Sequence, residues 1–100
     1  MYRIMIVEDD EVIARAVQQS LVSWGMDAFC VQDFSSVLAE FAVKNPQLVL
    51  MDIHLPFFNG FHWCQEIRKV SKVPVIFLSS ASDNMNIIMA VNMCCDYFIA

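Results

Sequence analysis

Acidic and hydroxyl side chains end or follow three apolar segments of the chain, and together they could carry out phosphoryl transfer. Asp52 ends the run LVLMD, Glu8 and Asp9 follow RIMIV, and Ser79 ends PVIFLS. Crowded carboxylates repel one another, and a hard divalent cation relieves that repulsion. Mg2+ suits such a site because it takes a few carboxylates, keeps several waters and accepts phosphate oxygens. Asp52 would be the nucleophile that forms an aspartyl phosphate, and the Ser79 hydroxyl would hydrogen-bond its phosphoryl oxygens.

Each of these residues also has an ordinary structural explanation when it is taken alone. The run VEDDE could cap a helix, since acidic side chains favour the positive end of the helix dipole. Asp52 could be a turn residue, and Ser79 alone carries little information. The combination, with each group at the end of its own strand, favours a shared site.

Strand-like and helix-like patterns alternate along the whole chain. The predicted strands are residues 3–7, 27–31, 48–52, 74–79 and 97–100, and the predicted helices are residues 10–23, 35–44, 61–70 and 84–93. This alternation predicts an α/β fold with a parallel sheet covered by helices on both faces. We expect a doubly wound, flavodoxin-like sheet of five strands in the order 2-1-3-4-5. Ligands of such folds bind beyond the carboxyl ends of the strands where the order reverses, here the first and third strands.

Local signals predict where the helices begin and which side chains they bury. Asp9 or Asp10 would cap the first helix, Asp33 would cap the second, and Asn59-Gly60 would form a turn before the third. The buried face of the first helix is predicted to be Val12, Ile13, Ala16, Val17 and Leu21, and that of the third Phe61, Cys64, Ile67 and Val70.

Composition restricts the classes of function. One hundred residues with 58% apolar content form one small domain with a single core. The net charge is −5 and the six basic residues are scattered, so the domain lacks a nucleic-acid-binding surface. No apolar run approaches the length of a membrane span, and no secretory signal is recognisable, which predicts a cytoplasmic protein. The four cysteines are expected to be buried thiols, because their spacing suits no zinc site.

Four segments, IMIVEDDE, LVLMDIHLPFFNG, PVIFLSS and DYFIA, resemble the receiver domain of two-component response regulators. The resemblance covers the whole chain, and it is closest to receivers attached to winged-helix DNA-binding domains. It implies that Asp52 is the phosphoacceptor and that Asp9 binds Mg2+ directly. It implies that Glu8 acts on the metal through water and that His54 contributes its backbone carbonyl. Ser79 matches the hydroxyl that senses the phosphoryl group, and Phe98 the aromatic switch residue.

The sequence departs from the family pattern near its end. The family's conserved lysine would follow Ala100, so the chain is expected to be a receiver domain truncated before that lysine and the last helix. Cys94-Cys95 replaces a usual Gly-Ala pair, and Tyr97 replaces a frequent aspartate. Because the last helix would cover the first helix and the last strand, we expect a homodimer through that side.

The resemblance implies a phosphorylation-dependent signalling switch rather than an enzyme that turns over a substrate. A sensor histidine kinase would donate the phosphoryl group, and DNA would be contacted only through a separate effector domain. Two alternatives are a pseudo-receiver that serves only as a protein-interaction module and an aspartyl-phosphate hydrolase. The hydrolase would need a second acid or base near Asp52, and none stands out in the DIHLP loop.

Overall fold

The computed structural model, which describes residues 2–78 and 97–99, contains one five-stranded sheet. The strands are β1 (Arg3–Val7), β2 (Asp27–Cys30), β3 (Leu48–Asp52), β4 (Val75–Leu78) and β5 (Tyr97–Ile99). Their order is β2-β1-β3-β4-β5, and all four neighbouring pairs are parallel. The predicted fold class and strand order are therefore confirmed.

Helices cover both faces of the sheet, as the alternating pattern predicts. They are α1 (Glu11–Ser23), α2 (Val37–Lys44) and α3 (Gly60–Arg68). Helix α1 packs on one face, and α2 and α3 pack on the other. The predicted helix at residues 84–93 lies outside the described residues. Within the described ranges, every helix is too short or too polar to cross a membrane.

Alternate residues of β1, β2 and β3 enter two separate cores, because successive side chains of a strand point to opposite faces. The α1 side contains Ile4, Ile6, Ala14 and Ala28. The larger core on the α2 and α3 side includes Met5, Val7, Val49, Met51, Val75 and Phe77 from the sheet. The long apolar runs are thus explained by burial on both faces rather than one.

Helix α1 begins where the sequence indicates, but its buried face is different. Asp10 is the cap, and its carboxylate accepts hydrogen bonds from the Val12 and Ile13 amides. The side chains of Val12, Ile13 and Ala16 are exposed, so their predicted burial is wrong. Ala14 takes their place, and Val17 and Leu21 pack against the core as predicted. The physical reason is that α1 packs on β1 and β2 through a narrow stripe centred on the small residue Ala14, so its other apolar side chains lie beside that stripe.

The ends of the other two helices differ from the predicted ends. Helix α2 begins after Ser36 rather than after Asp33, because Asp33 forms a local turn through the amide and hydroxyl of Ser35. Helix α3 begins one residue early, with Asn59 as its cap. It ends at Arg68, so Val70 lies beyond the helix and is exposed, contrary to the prediction.

The cysteines do not share one chemical state. Cys30 is a free, half-buried thiol. Cys64 is fully buried and disulfide-bonded, so the expectation of a buried free thiol is wrong there. Cys94 and Cys95 lie outside the described residues.

Candidate metal and phosphoacceptor site

The sheet brings three acidic side chains together beyond the carboxyl ends of β1 and β3. Val7, the last residue of β1, is paired with Met51, so Glu8 and Asp9 emerge beside Asp52. One carboxylate oxygen from each of Glu8, Asp9 and Asp52 lies within 4.8 Å of the others. Residues separated by more than forty positions in the sequence therefore form a single acidic pocket at the point where the strand order reverses.

The three carboxylates differ in their exposure. Asp9 is exposed, whereas Glu8 and Asp52 are half-buried. The Oε2 atom of Glu8 is buried and has no hydrogen-bond partner among the residues that the structure describes. A buried polar atom without a partner is costly, so this oxygen is available to a proton, a water or a cation.

Burial is the main cause that raises the pKa of Glu8, which reaches about 8. A hydrogen bond with Asp52 and the negative charges of Asp52, Asp9 and Asp10 raise the pKa in the same direction. In the metal-free protein Glu8 therefore holds a proton at neutral pH. That proton partly relieves the repulsion among the carboxylates, and a divalent cation would relieve it more completely.

The donor atoms of this pocket fit a hard divalent cation. They are carboxylate oxygens, which Mg2+ prefers, and the exposed position of Asp9 leaves room for the waters that Mg2+ retains. Glu8 Oε2 adds a buried oxygen that lacks a described partner. Asp10 does not belong to this group, because its carboxylate is engaged by the first turn of α1.

The loop after Asp52 is held in a tight and partly strained conformation. Ile53 is buried, whereas His54 is exposed. The Phe58 amide donates a hydrogen bond to the Pro56 carbonyl at 2.8 Å, which closes a γ-turn around Phe57. Phe57 has a φ of 69°, in the left-handed region that residues with a side chain seldom adopt. The predicted metal contact of the His54 carbonyl stays a prediction.

Two neighbouring features were missed by reasoning from the sequence. Phe58 stacks on His62 with ring centroids 4.3 Å apart, and both rings contact the buried Trp63. A cavity of about 410 Å3 also opens beside Glu8 and Asp9, between α1 and β2, with Arg15 and Cys30 in its wall. Phe58 and His62 are four positions apart, a spacing that brings side chains together on one face of a helix, so the sequence could have indicated their stacking. No local pattern indicates the cavity.

Of the two remaining predicted site residues, only Phe98 lies within the described residues, in the strand at the other edge of the sheet. Phe98 is in β5, where it is paired with Phe77 of β4. Ser79 follows β4 directly and lies outside the described residues. Their predicted roles as aromatic switch and phosphoryl sensor stay predictions.

A family model described as the response regulator receiver domain matches residues 4–100. The chain is 42% identical over 99 residues to the sensory transduction protein BceR of Bacillus subtilis. The matched region covers 99% of this chain and 43% of that protein. It is 43% identical to the N-terminal domain of the nisin resistance regulator NsrR, with a TM-score of 0.89, covering 100% of this chain and 85% of that one. The BeF3-activated receiver domain of Klebsiella pneumoniae RstA is 29% identical, with a TM-score of 0.92, covering 97% of this chain and 83% of that one.

The chain belongs to the response regulator receiver domain family. Proteins of this family are components of two-component signalling systems. Another relative, YvcP of Bacillus subtilis, is described as a transcriptional regulatory protein. The chain spans less than half the length of the curated relatives that it matches.

Proposed function

We propose that this domain is a signalling switch that accepts a phosphoryl group on Asp52 in the presence of Mg2+. One observation carries the proposal, namely the convergence of Glu8, Asp9 and Asp52 within 4.8 Å at the end of the central strands. Family membership supports the same assignment. The domain would act as a phosphoacceptor, with at most self-phosphorylation and self-dephosphorylation.

The residues of the pocket would divide the work according to their positions. Asp52 and Asp9 would hold Mg2+ with the backbone carbonyl of His54, and Glu8 would hold it through water. When bound, Mg2+ neutralises the charge that collects on the transferring phosphoryl group. The ionised Asp52 oxygen attacks phosphorus, a new O–P bond forms, and the bond from phosphorus to the donor breaks. The donor keeps the electron pair of that bond and takes up a proton.

We further propose that the donor is a sensor histidine kinase and that the response is passed to an effector domain. Ser79 would contact the new phosphoryl group, and Phe98 in β5 would change its packing in response. The names of the relatives support a transcriptional effector, and a winged-helix DNA-binding domain in the full-length protein is our specific hypothesis. The net charge of −5 is consistent with DNA contact outside this domain.

Incubation with a small acyl phosphate and Mg2+ tests the phosphoacceptor assignment. We expect intact-mass analysis to show one added phosphoryl group and peptide mapping to place it on Asp52. Asp52→Ala should abolish the labelling, whereas Asp27→Ala is the matched control, because Asp27 lies at the far end of the sheet and pairs with Arg3. Full labelling of Asp52→Ala, or labelling on Ser79, would contradict the mechanism. A protein that binds partners but takes up no phosphoryl group would be a pseudo-receiver.

A further inference from the structure

Gly60, the first residue of α3, lies against the backbone of Asp52. A Cβ atom at position 60 would be 2.2 Å from the Asp52 carbonyl oxygen and 3.1 Å from its carbonyl carbon. Real Cβ atoms essentially never come closer than 3.0 Å to another heavy atom. The nearest obstacle is backbone rather than the end of a flexible side chain, so it cannot simply rotate away. Only glycine permits this close approach.

Helix α3 is held in this position by hydrogen bonds at its first turn and by burial of its apolar side chains. The Gly60 amide donates a hydrogen bond to the Ile53 carbonyl at 2.9 Å, and the Asn59 side chain caps the helix by accepting from the His62 amide at 2.9 Å. Further along the helix, Phe61 and Ile67 are buried in the larger core. Because the helix cannot withdraw without exposing that core, an added methyl group would instead push on the end of β3.

We propose that Gly60 is a positioning residue, which sets the place of the Asp52 carboxylate relative to Glu8 and Asp9. This inference rests on the proposed function. To relieve a contact at 2.2 Å, the gap must open by about 0.8 Å to reach 3.0 Å. Mg2+ demands near-ideal octahedral geometry, so its ligands tolerate little displacement. A misplacement of about 1 Å costs on the order of 10² in the rate of a positioned reaction.

The test compares Gly60→Ala with Gly25→Ala, which add the same methyl group at different places. Gly25 has a φ of +87°, and a Cβ there would meet no atom within 4 Å in the described part of the chain. Both variants should lose stability, but only Gly60→Ala should bind Mg2+ about tenfold more weakly, since changes in groups that position metal ligands typically weaken metal affinity by about 10–100-fold. Its labelling by acyl phosphate should slow on the order of 10²-fold. Calorimetric Mg2+ titration of the folded protein provides the readout that a purely structural role would leave unchanged.

Equal Mg2+ affinity in the two variants would overturn the proposal. Absence of labelling in the unsubstituted protein would instead count against the proposed function, and the Mg2+ comparison would still decide the role of Gly60. If Gly60→Ala does not fold, the test uses the double variant Phe57→Gly/Gly60→Ala. Phe57→Gly removes the left-handed strain at position 57 and so compensates part of the lost stability. A chain that stays unfolded in that background would assign Gly60 to folding and would also overturn the proposal.

Discussion

The affinity of the acidic pocket for Mg2+ should depend on pH, because the proton on Glu8 competes with the cation. The pKa of Glu8 is raised to about 8 by burial first, and then by Asp52, Asp9 and Asp10. Below that pKa, binding of Mg2+ must displace one proton, so the dissociation constant rises about tenfold for each pH unit. Between pH 8 and pH 6 the expected weakening is at most about 100-fold, since screening of a half-buried carboxyl reduces the effect.

The same shift determines how the stability of the metal-free protein depends on pH. Glu8 binds its proton more tightly in the folded state than in the unfolded state, where its pKa is near 4.5. The stabilisation from this proton is therefore fully present below pH 4.5 and is lost as the pH rises toward 8. Added Mg2+ should stabilise the fold most at pH 8, where the cation meets an ionised pocket.

Fluorescence of the buried Trp63 provides an assay for Mg2+ binding, once the exposed Trp24 is replaced by phenylalanine. Glu8→Gln removes the titrating proton while preserving the shape of the side chain. This variant should bind Mg2+ more weakly at pH 8, and its affinity should change little between pH 6 and pH 8. A wild-type affinity that is the same at both pH values would refute the reasoning. An equally steep pH dependence in Glu8→Gln would show that another group titrates.

Three further predictions concern the stability of the fold and the association of the chain. Asp10→Ala should lower the free energy of unfolding by about 1 kcal/mol because α1 loses its cap. Asp10→Asn should keep most of the stability, because asparagine also caps helices. Urea unfolding of both variants measures the two free energies. Phe57→Gly should raise the free energy of unfolding by about 1 kcal/mol, because removal of left-handed strain outweighs the added chain entropy; a loss measured by the same method would contradict the strain. The chain should form a homodimer through the exposed side of α1, where Trp24 and Val22 face solvent. Light scattering across a dilution series checks this by measuring the mass of the protein and of its Trp24→Ala variant. A monomeric mass for both proteins at all concentrations would exclude the dimer.

Much of this architecture is predictable because local pattern and global fold agree. Alternation of apolar runs with helical periodicity predicts the parallel sheet, and the doubly wound fold expected from it predicts the strand order that the structure confirms. The helix ends are less predictable, since several polar residues compete for the same capping position. Asp33 forms a turn with Ser35 instead of capping α2, and Asn59 caps α3 where a turn was expected.

The sequence alone determined which residue types are available for chemistry, because Asp52 ends one recognisable buried strand and Glu8 and Asp9 follow another. Only the tertiary structure decided how they interact, since burial and mutual repulsion depend on neighbours that are distant along the chain. Local signals indicate Asp9 or Asp10 as the cap of α1, but no local pattern reveals that the pKa of Glu8 is raised. Likewise, Gly60 is read from the sequence as a turn residue. Its contact with the Asp52 carbonyl exists because the core holds α3 against the end of β3.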